Sequence, residues 1–424
     1  MTTLALLMIG AYLTFGRPFS YLGVLPFYPS EVYCVLALFL MPGDWLRKMI
    51  VQLLSFRPIV WWFVLFAIWG GAEVFLGINA DYDRIVALKE AACHYYLVFF
   101  FIGEALGTTY KASYLARFFL ITGIAAGLNG LLFAVYTSNI DWVLPWAPEV
   151  PVFDVPGMIS YLIVGLMAFV EVLGGAGFIA IILDLLAALA NPGRAMWLSI
   201  ILGCGVVLFL QRGSRALFKV GAIILVIALV TVSAGALIPA AKGRGGSLSP
   251  GWIAAQIIAT FSPNEAYDLV QQDAADEDTD ADAVFGRAGT VDWRFNLWSG
   301  VIDSLETPTM WLVGHGYGLE LPSIILGDEG LRSPHNFVIY LLGYTGLIGI
   351  SLYLAFSISL VLLFYRLPAS IYRTFLLAAV VATWAVALFG NGLETPFVAV
   401  PFYLGSGVIY GVAVGAAGPV RRLA

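Results

Sequence analysis

The chain has 424 residues, of which 61% are hydrophobic and 11% charged, with a formal net charge of -6 and a mean hydropathy of +0.91. Soluble domains carry about a quarter charged residues, so a soluble enzyme is excluded and an integral membrane protein surrounded by lipid is left. There is no basic run to neutralise a phosphate backbone, which excludes a nucleic-acid partner.

The first segment, Met1 to Gly16, is apolar, has no basic stretch ahead of it and shows no clear A-x-A cleavage site, so it reads as a retained span. Apolar stretches near 2–16, 29–42, 58–76, 93–108, 117–136, 157–173, 176–190, 195–211, 220–238, 343–365, 374–390 and 399–418 predict an all-α polytopic membrane protein of about 12 transmembrane helices. The first two are short enough to be tilted or partly re-entrant. The stretch 157–190 is too long for one ordinary crossing and is divided at Gly174-Gly175. Cys34, Cys93 and Cys204 are odd in number and widely spaced, and they read as small buried hydrophobes rather than disulfide partners or metal ligands.

Lysine and arginine set the orientation. One set of alternate connections holds Arg47, Lys48 and Arg57; Lys111 and Arg117; Arg212, Arg215 and Lys219; Arg366 and Arg373; Arg421 and Arg422. That side is the cytoplasm, so both termini are expected there. The intervening short connections hold only Arg17, Arg84, Lys89 and Arg194. The connection 137–156 has acidic residues but no basic one, and its Trp142 and Trp146 suit a membrane interface. The chain thus divides into N-terminal spans (1–238), an outward-facing loop (239–334) and C-terminal spans (335–424). The parity depends on the division at Gly174; without it Arg194 changes sides.

The outer loop is the long polar stretch of the chain. Trp252 to Phe261 predicts a short interfacial helix. The acidic run Asp273 to Asp282 reads as a solvated loop; it lacks the glycine and terminal glutamate of an EF-hand. Thr290 to Leu305 predicts a helix, with Trp293, Leu297, Val301 and Leu305 on one stripe and Arg294 and Trp298 on the next. Gly314-His315-Gly316-Tyr317-Gly318 predicts a tight turn with His315 as a turn residue. It lacks the lysine of a nucleotide-binding loop. Ser333-Pro334 predicts a helix start with His335 in its first turn. Small residues at 343, 346 and 349 suit close packing in lipid.

Arg194 and Arg294, brought to one outer pocket, supply guanidinium forks that bind a diphosphate bidentately. Such a pair stabilises a departing diphosphate without a metal ion. A neutral histidine at His335 then takes a proton from an attacking sugar hydroxyl. This is the minimum equipment for glycosyl transfer from a polyprenyl-diphosphate donor. The bland readings are interfacial anchors for the arginines and a structural helix-start histidine.

The features Gly193-Arg194-Ala195 opening a span, Arg294-x-x-x-Trp298, Gly314-x-Gly316-x-Gly318, and His335-Asn336 ahead of Gly346-Leu347-Ile348-Gly349 resemble the O-antigen ligase/polymerase superfamily of membrane glycosyltransferases over about residues 176–365. The family usually has Ser before the first arginine and Gly after it. Here they are Gly193 and Ala195, so Arg215, in Ser214-Arg215-Ala216, is a rival for Arg194. Arg287 is a lesser rival for Arg294. The resemblance implies a GT-C-type bundle with a periplasmic catalytic loop carrying short helices, in a bacterial inner membrane. It further implies an undecaprenyl-diphosphate-linked glycan donor, inversion at the anomeric carbon, and no metal or cofactor. Arg194 and Arg294 would bind the diphosphate, His335 would activate the acceptor hydroxyl, and Asn336 and Trp298 would support them. The acceptor is a lipid A-core sugar for a ligase in lipopolysaccharide biosynthesis and another lipid-linked glycan for a polysaccharide polymerase. A related branch modifies protein hydroxyls, and the sequence leans only slightly away from it.

A second class is a flippase or other transporter of lipid-linked oligosaccharide. Its motivation is the span count and the intramembrane carboxylates Glu73, Glu104, Glu171 and Asp184, which would mark a path if they faced one cavity. No internal repeat supports it.

Overall fold

The computed structural model describes residues 2–23, 28–40, 51, 54, 57–136, 142–190, 194–211, 293–327, 333–390 and 392–416. In chain order its helices are α1 (Thr2–Phe15), α2 (Arg17–Ser20), α3 (Pro29–Leu40), α4 (Pro58–Asn79), α5 (Arg84–Glu90), α6 (Ala92–Tyr96), α7 (Val98–Gly107), α8 (Ala112–Tyr136), α9 (Ile159–Ala168), α10 (Val170–Ala190) and α11 (Arg194–Leu210). Later in the chain come α12 (293–303), α13 (Pro308–Val313), α14 (Leu321–Leu326), α15 (Phe337–Tyr365), α16 (Ile371–Phe389) and α17 (Pro396–Ala416). A small antiparallel hairpin pairs β1 (Val143–Leu144) with β2 (Ala147–Pro151).

The protein is a polytopic helical membrane protein. Among the described residues, 7 helices are long and apolar enough to cross a bilayer: α4, α5 to α7 taken together, α8, α10, α15, α16 and α17. The helices at 3–15, 159–168 and 195–210 are shorter. Every expected span except 220–238, which lies outside the described residues, coincides with a helix. Trp252 to Phe261, the acidic run, Arg215 and Arg287 also lie outside them.

The helix boundaries follow from local chemistry. Pro58 and Pro308 occupy first-turn positions, where a missing N–H costs nothing. Asp83, Thr307, Asn336 and Ser370 accept hydrogen bonds from the first backbone N–H groups of α5, α13, α15 and α16. The core helices meet through small residues. A methyl group at Gly103 or Gly107 of α7 would strike backbone of α17, and one at Gly407 or Gly411 would strike backbone of α7. Two four-residue glycine spacings therefore lie face to face, which lets the two backbones touch in lipid.

The chain reverses where the sequence required it. α9 ends at Ala168, and Gly174 carries φ 57° and ψ -139°, a conformation open to glycine. On α8, Asn129 donates to the Asp154 carbonyl, Gly165 packs on Phe119, and Gly130 packs on both Val155 and Ala187. α9 is thus antiparallel to α8 and α10 is parallel to it. A first break follows Ala168, where α9 stops, and a second falls at Gly174, the expected point of division.

This reversal decides which residues share an end of the bundle. One end gathers Asp154 to Gly157, the C-terminus of α10, the start of α11, α12, Pro334-His335, Gly390 and the turn 392–395. Gly16 packs on Pro156, and Gly157 packs on Phe397 there. The opposite end holds Arg57, whose Nη1 meets Glu104 at 3.0 Å and whose Nη2 donates to Tyr410 at 3.2 Å. Arg373, whose guanidinium lies 4.5 Å from the Tyr365 ring, belongs to that end as well.

The four intramembrane carboxylates do not face one cavity. Glu104 pairs with Arg57, Glu171 is exposed, Glu73 is buried with its carbonyl bonded to Tyr317, and Asp184 is buried against Gly123 on α8.

Candidate functional site

The site is built on α12. Its apolar stripe, with Leu297, Val301 and Leu305 each at most 3% exposed, seats it on the bundle. The helix is shorter than the expected 290–305 at its C-terminal end, where Ser304 turns out of it. The neighbouring stripe points at the shared end. Arg294 Nη1 donates to the Phe389 carbonyl at 3.1 Å, and Trp298 Nε1 donates to the Pro334 carbonyl at 2.8 Å. Four-residue spacing thus ties one helix face to both segments that flank it.

The same backbone reaches the first turn of α11. A side chain at Gly390, the residue after Phe389, would stand 3.4 Å from Cβ of Ala195. Arg194 opens α11 as expected. The end of α16 therefore lies between the start of α11 and Arg294 of α12, and the fold brings these two sequence-distant elements together.

His335 differs from its expected place. α15 starts at Phe337, and Asn336 is the capping residue, its Oδ1 accepting from Val338 N–H at 2.9 Å and Ile339 N–H at 3.2 Å. His335 stands just ahead of the helix with φ 53°, a left-handed conformation that a β-carbon disfavours. Such strain, of order 1–3 kcal/mol, persists only where surrounding contacts enforce it. Here Ser333 Oγ accepts from His335 N–H at 3.2 Å and donates to Glu394 Oε1 at 2.8 Å. The Trp293 ring lies 5.6 Å from the imidazole. Proline at 334 cannot continue a ladder, so the capping asparagine, not the proline, starts the helix.

Glu394, Ser333 and Trp293 are site residues that the motifs did not mark. Trp293 read as core stripe. Glu394 had a signal, a lone carboxylate in a short turn between two spans on the His335 side, but it had no spacing partner to single it out. Its second oxygen accepts from Gly392 N–H at 3.0 Å. Burial pushes its carboxyl up to about 7, against the opposing pull of the Ser333 and Gly392 donors.

The glycine turn is also more than a turn. His315 Nε2 lies 2.9 Å from Ser304 Oγ, which ties the turn to the end of α12. Burial holds the His315 imidazole below its usual range, with Glu306 opposing. Among the described residues no group of three or more His, Cys, Asp or Glu is arranged to hold a metal ion.

A helix face carrying Arg294, a strained histidine beside a half-buried glutamate, and the start of α11 thus meet at one end of an apolar bundle. Residues 179–354 match the family model of the O-antigen ligase. The matched segment is less than half of the chain, and in it the chain is similar to the O-antigen ligase family. No curated protein matches the chain. The O-antigen ligase match spans Arg194, Arg294, Trp298, the glycine turn, His335-Asn336 and the Gly346–Gly349 segment. It stops short of Glu394 and leaves out the spans before residue 179.

Proposed function

We propose that the protein is an inverting, metal-independent GT-C-type glycosyltransferase of the bacterial inner membrane. It moves an oligo- or polysaccharide from undecaprenyl diphosphate to an acceptor hydroxyl on the periplasmic side, as an O-antigen ligase or a polysaccharide polymerase. What supports this reading is the nearness of the start of α11, Arg294 and the His335 segment at one end of the bundle, with Phe389-Gly390 between α11 and α12.

In this reading the lipid tail lies among the helices and the diphosphate lies between Arg194 and Arg294. Their charge is permanent, and their planar forks match phosphate oxygens. His335 accepts the proton of the acceptor hydroxyl as its oxygen attacks the anomeric carbon. The C–O bond to diphosphate breaks on the opposite face, and the leaving diphosphate keeps the electron pair. Trp298 and Asn336 hold the two chain segments that carry these groups.

The test is transfer by purified, reconstituted protein from an undecaprenyl-diphosphate-linked oligosaccharide to mixed acceptors in excess EDTA, with His335→Ala alongside. Product that vanishes in the variant supports the reading, and its identity names the acceptor. An intact donor under every condition, with folded protein, overturns it. Dependence on added divalent ion overturns the two-arginine account.

A further inference from the structure

The turn Gly314 to Gly318 is held by its own successive backbone N–H groups, which donate to acceptors on three elements. His315 N–H donates to Gly343 O at 2.9 Å and Gly316 N–H to Tyr344 O at 3.1 Å, both on α15. Tyr317 N–H donates to Glu73 O of α4 at 3.3 Å, and Gly318 N–H to Glu90 Oε2 of α5 at 2.7 Å. The Tyr317 hydroxyl adds a 2.8 Å contact to His94 Nε2, inside the bundle. A four-donor attachment of this kind makes the turn a fixed post on the membrane helices.

From this post the His315 side chain reaches Ser304, at the C-terminal edge of α12. Ser304 Oγ donates its single proton to the Val301 carbonyl at 2.7 Å. It is therefore the acceptor toward His315, and Nε2 carries the hydrogen. Protonation adds a hydrogen at Nδ1 and leaves the Nε2–H in place, so the contact survives on both sides of the imidazole titration. The charged group that acts on the imidazole is Glu306; α15 offers it backbone at Gly343 and Tyr344.

The position of this contact matters because Arg294 ties the N-terminal end of α12 and Trp298 its middle, while Ser304 lies just past its C-terminal end. We propose that His315 is a positioning residue: by donating to Ser304 it fixes the C-terminal end of α12 to the turn and so sets where Arg294 stands relative to the donor diphosphate. This rests on the proposed glycosyl transfer. Misplacement of a reacting group by about 1 Å costs on the order of 100-fold in rate.

The experiment uses the full chain in proteoliposomes with an undecaprenyl-diphosphate-linked oligosaccharide, comparing wild type, His315→Leu, His315→Gln, Ser304→Ala and the His315→Leu/Ser304→Ala double variant. Turnover against pH is read beside hydrogen exchange of the 293–303 amides. His315→Leu and Ser304→Ala are each expected to lower kcat about 10- to 100-fold and to speed exchange over 293–303. His315→Gln, which keeps a donor near the Nε2 position, restores both. The double variant is no worse than the worse single one, because both remove one contact. The shape of the pH profile stays that of wild type.

Native kcat and native exchange in His315→Leu overturn the proposal. So do equal losses in the Gln and Leu variants, additive losses in the double variant, or disappearance of the acid limb on changing His315. If His315→Leu does not fold, His315→Gln and Ser304→Ala still read the contact. If wild type transfers no glycan, the glycosyltransferase reading fails, and hydrogen exchange alone decides whether His315 holds α12.

Discussion

Arg294 and Phe389 are joined by a 3.1 Å hydrogen bond from Nη1 to the main-chain carbonyl, so the arginine is fixed to the end of a membrane-spanning helix. The residue after that carbonyl packs on Ala195. A guanidinium has five N–H donors in a planar fork that matches phosphate oxygens, whereas a lysine has no such fork. Arg294→Ala is therefore expected to lower kcat by about 100- to 1000-fold, the range found when one donor to a developing negative charge is removed. Arg294→Lys recovers only part of that loss. Steady-state transfer with each variant checks this, and an Ala variant within tenfold of wild type would remove Arg294 from the chemistry.

His335 and Asn336 are adjacent but separable. Asn336 caps α15 through Oδ1, while His335 carries the strained φ and faces Trp293. Asn336→Asp keeps a capping oxygen and is expected to keep transfer near the wild-type rate. Asn336→Ala loses about 1 kcal/mol of stability, typical of a lost cap. His335→Ala loses transfer with little change in thermal midpoint. With chemistry rate-limiting, the wild-type rate rises with pH as the imidazole loses its proton. A flat profile between about pH 5.5 and 8.5 would count against a histidine base.

How much of this was legible in the sequence depends on the range over which each signal acts. Apolar length found the helices, because a span has to satisfy its backbone internally over some 20 residues. The four-residue stripes placed Arg294 and Trp298 on one face of α12, and the family-like motifs marked Arg194 and His335. The meeting of Arg294 with Phe389, and of Ser333 with Glu394, was not legible, because backbone carbonyls carry no sequence signal and Glu394 is 61 residues from its serine. The start of α15 was misplaced at Ser333-Pro334 because two helix-start signals competed; the asparagine prevailed by bonding two N–H groups. Arg215, Arg287 and the acidic run lie outside the described residues.

Gly346 tests the packing that holds the outer helices to the bundle. It sits within α15 at φ 62° and ψ -165°, and an added Cβ would strike the backbone of Leu312 and Val313 at the end of α13. Both the conformation and the contact penalise alanine. Gly346→Ala should therefore destabilise the protein by at least the roughly 1–3 kcal/mol of a strained backbone position. Gly71, which has open space where a Cβ would stand, is the control. Thermal midpoints in detergent decide the matter, and equal midpoints for the two alanine variants would contradict this packing.

Glu394 links stability to pH. Burial raises its carboxyl from 4.5 to about 7, so between these values the folded chain keeps a proton that the unfolded chain has released. Folding then takes up a proton, and stability falls as pH rises through that window. The loss is absent below the unfolded value and complete above the folded one. Glu394→Gln retains an oxygen acceptor for Ser333 but cannot ionise, so its thermal midpoint relative to wild type is expected to climb between about pH 5 and 8 and to level off beyond. Glu394→Ala leaves Ser333 and the Gly392 N–H without their acceptor, at about 1–3 kcal/mol, and frees the backbone that holds His335. Transfer should therefore fall in the Ala variant more than in the Gln variant. A midpoint difference that does not vary with pH would mean that Glu394 is fully solvated and does not hold the histidine turn.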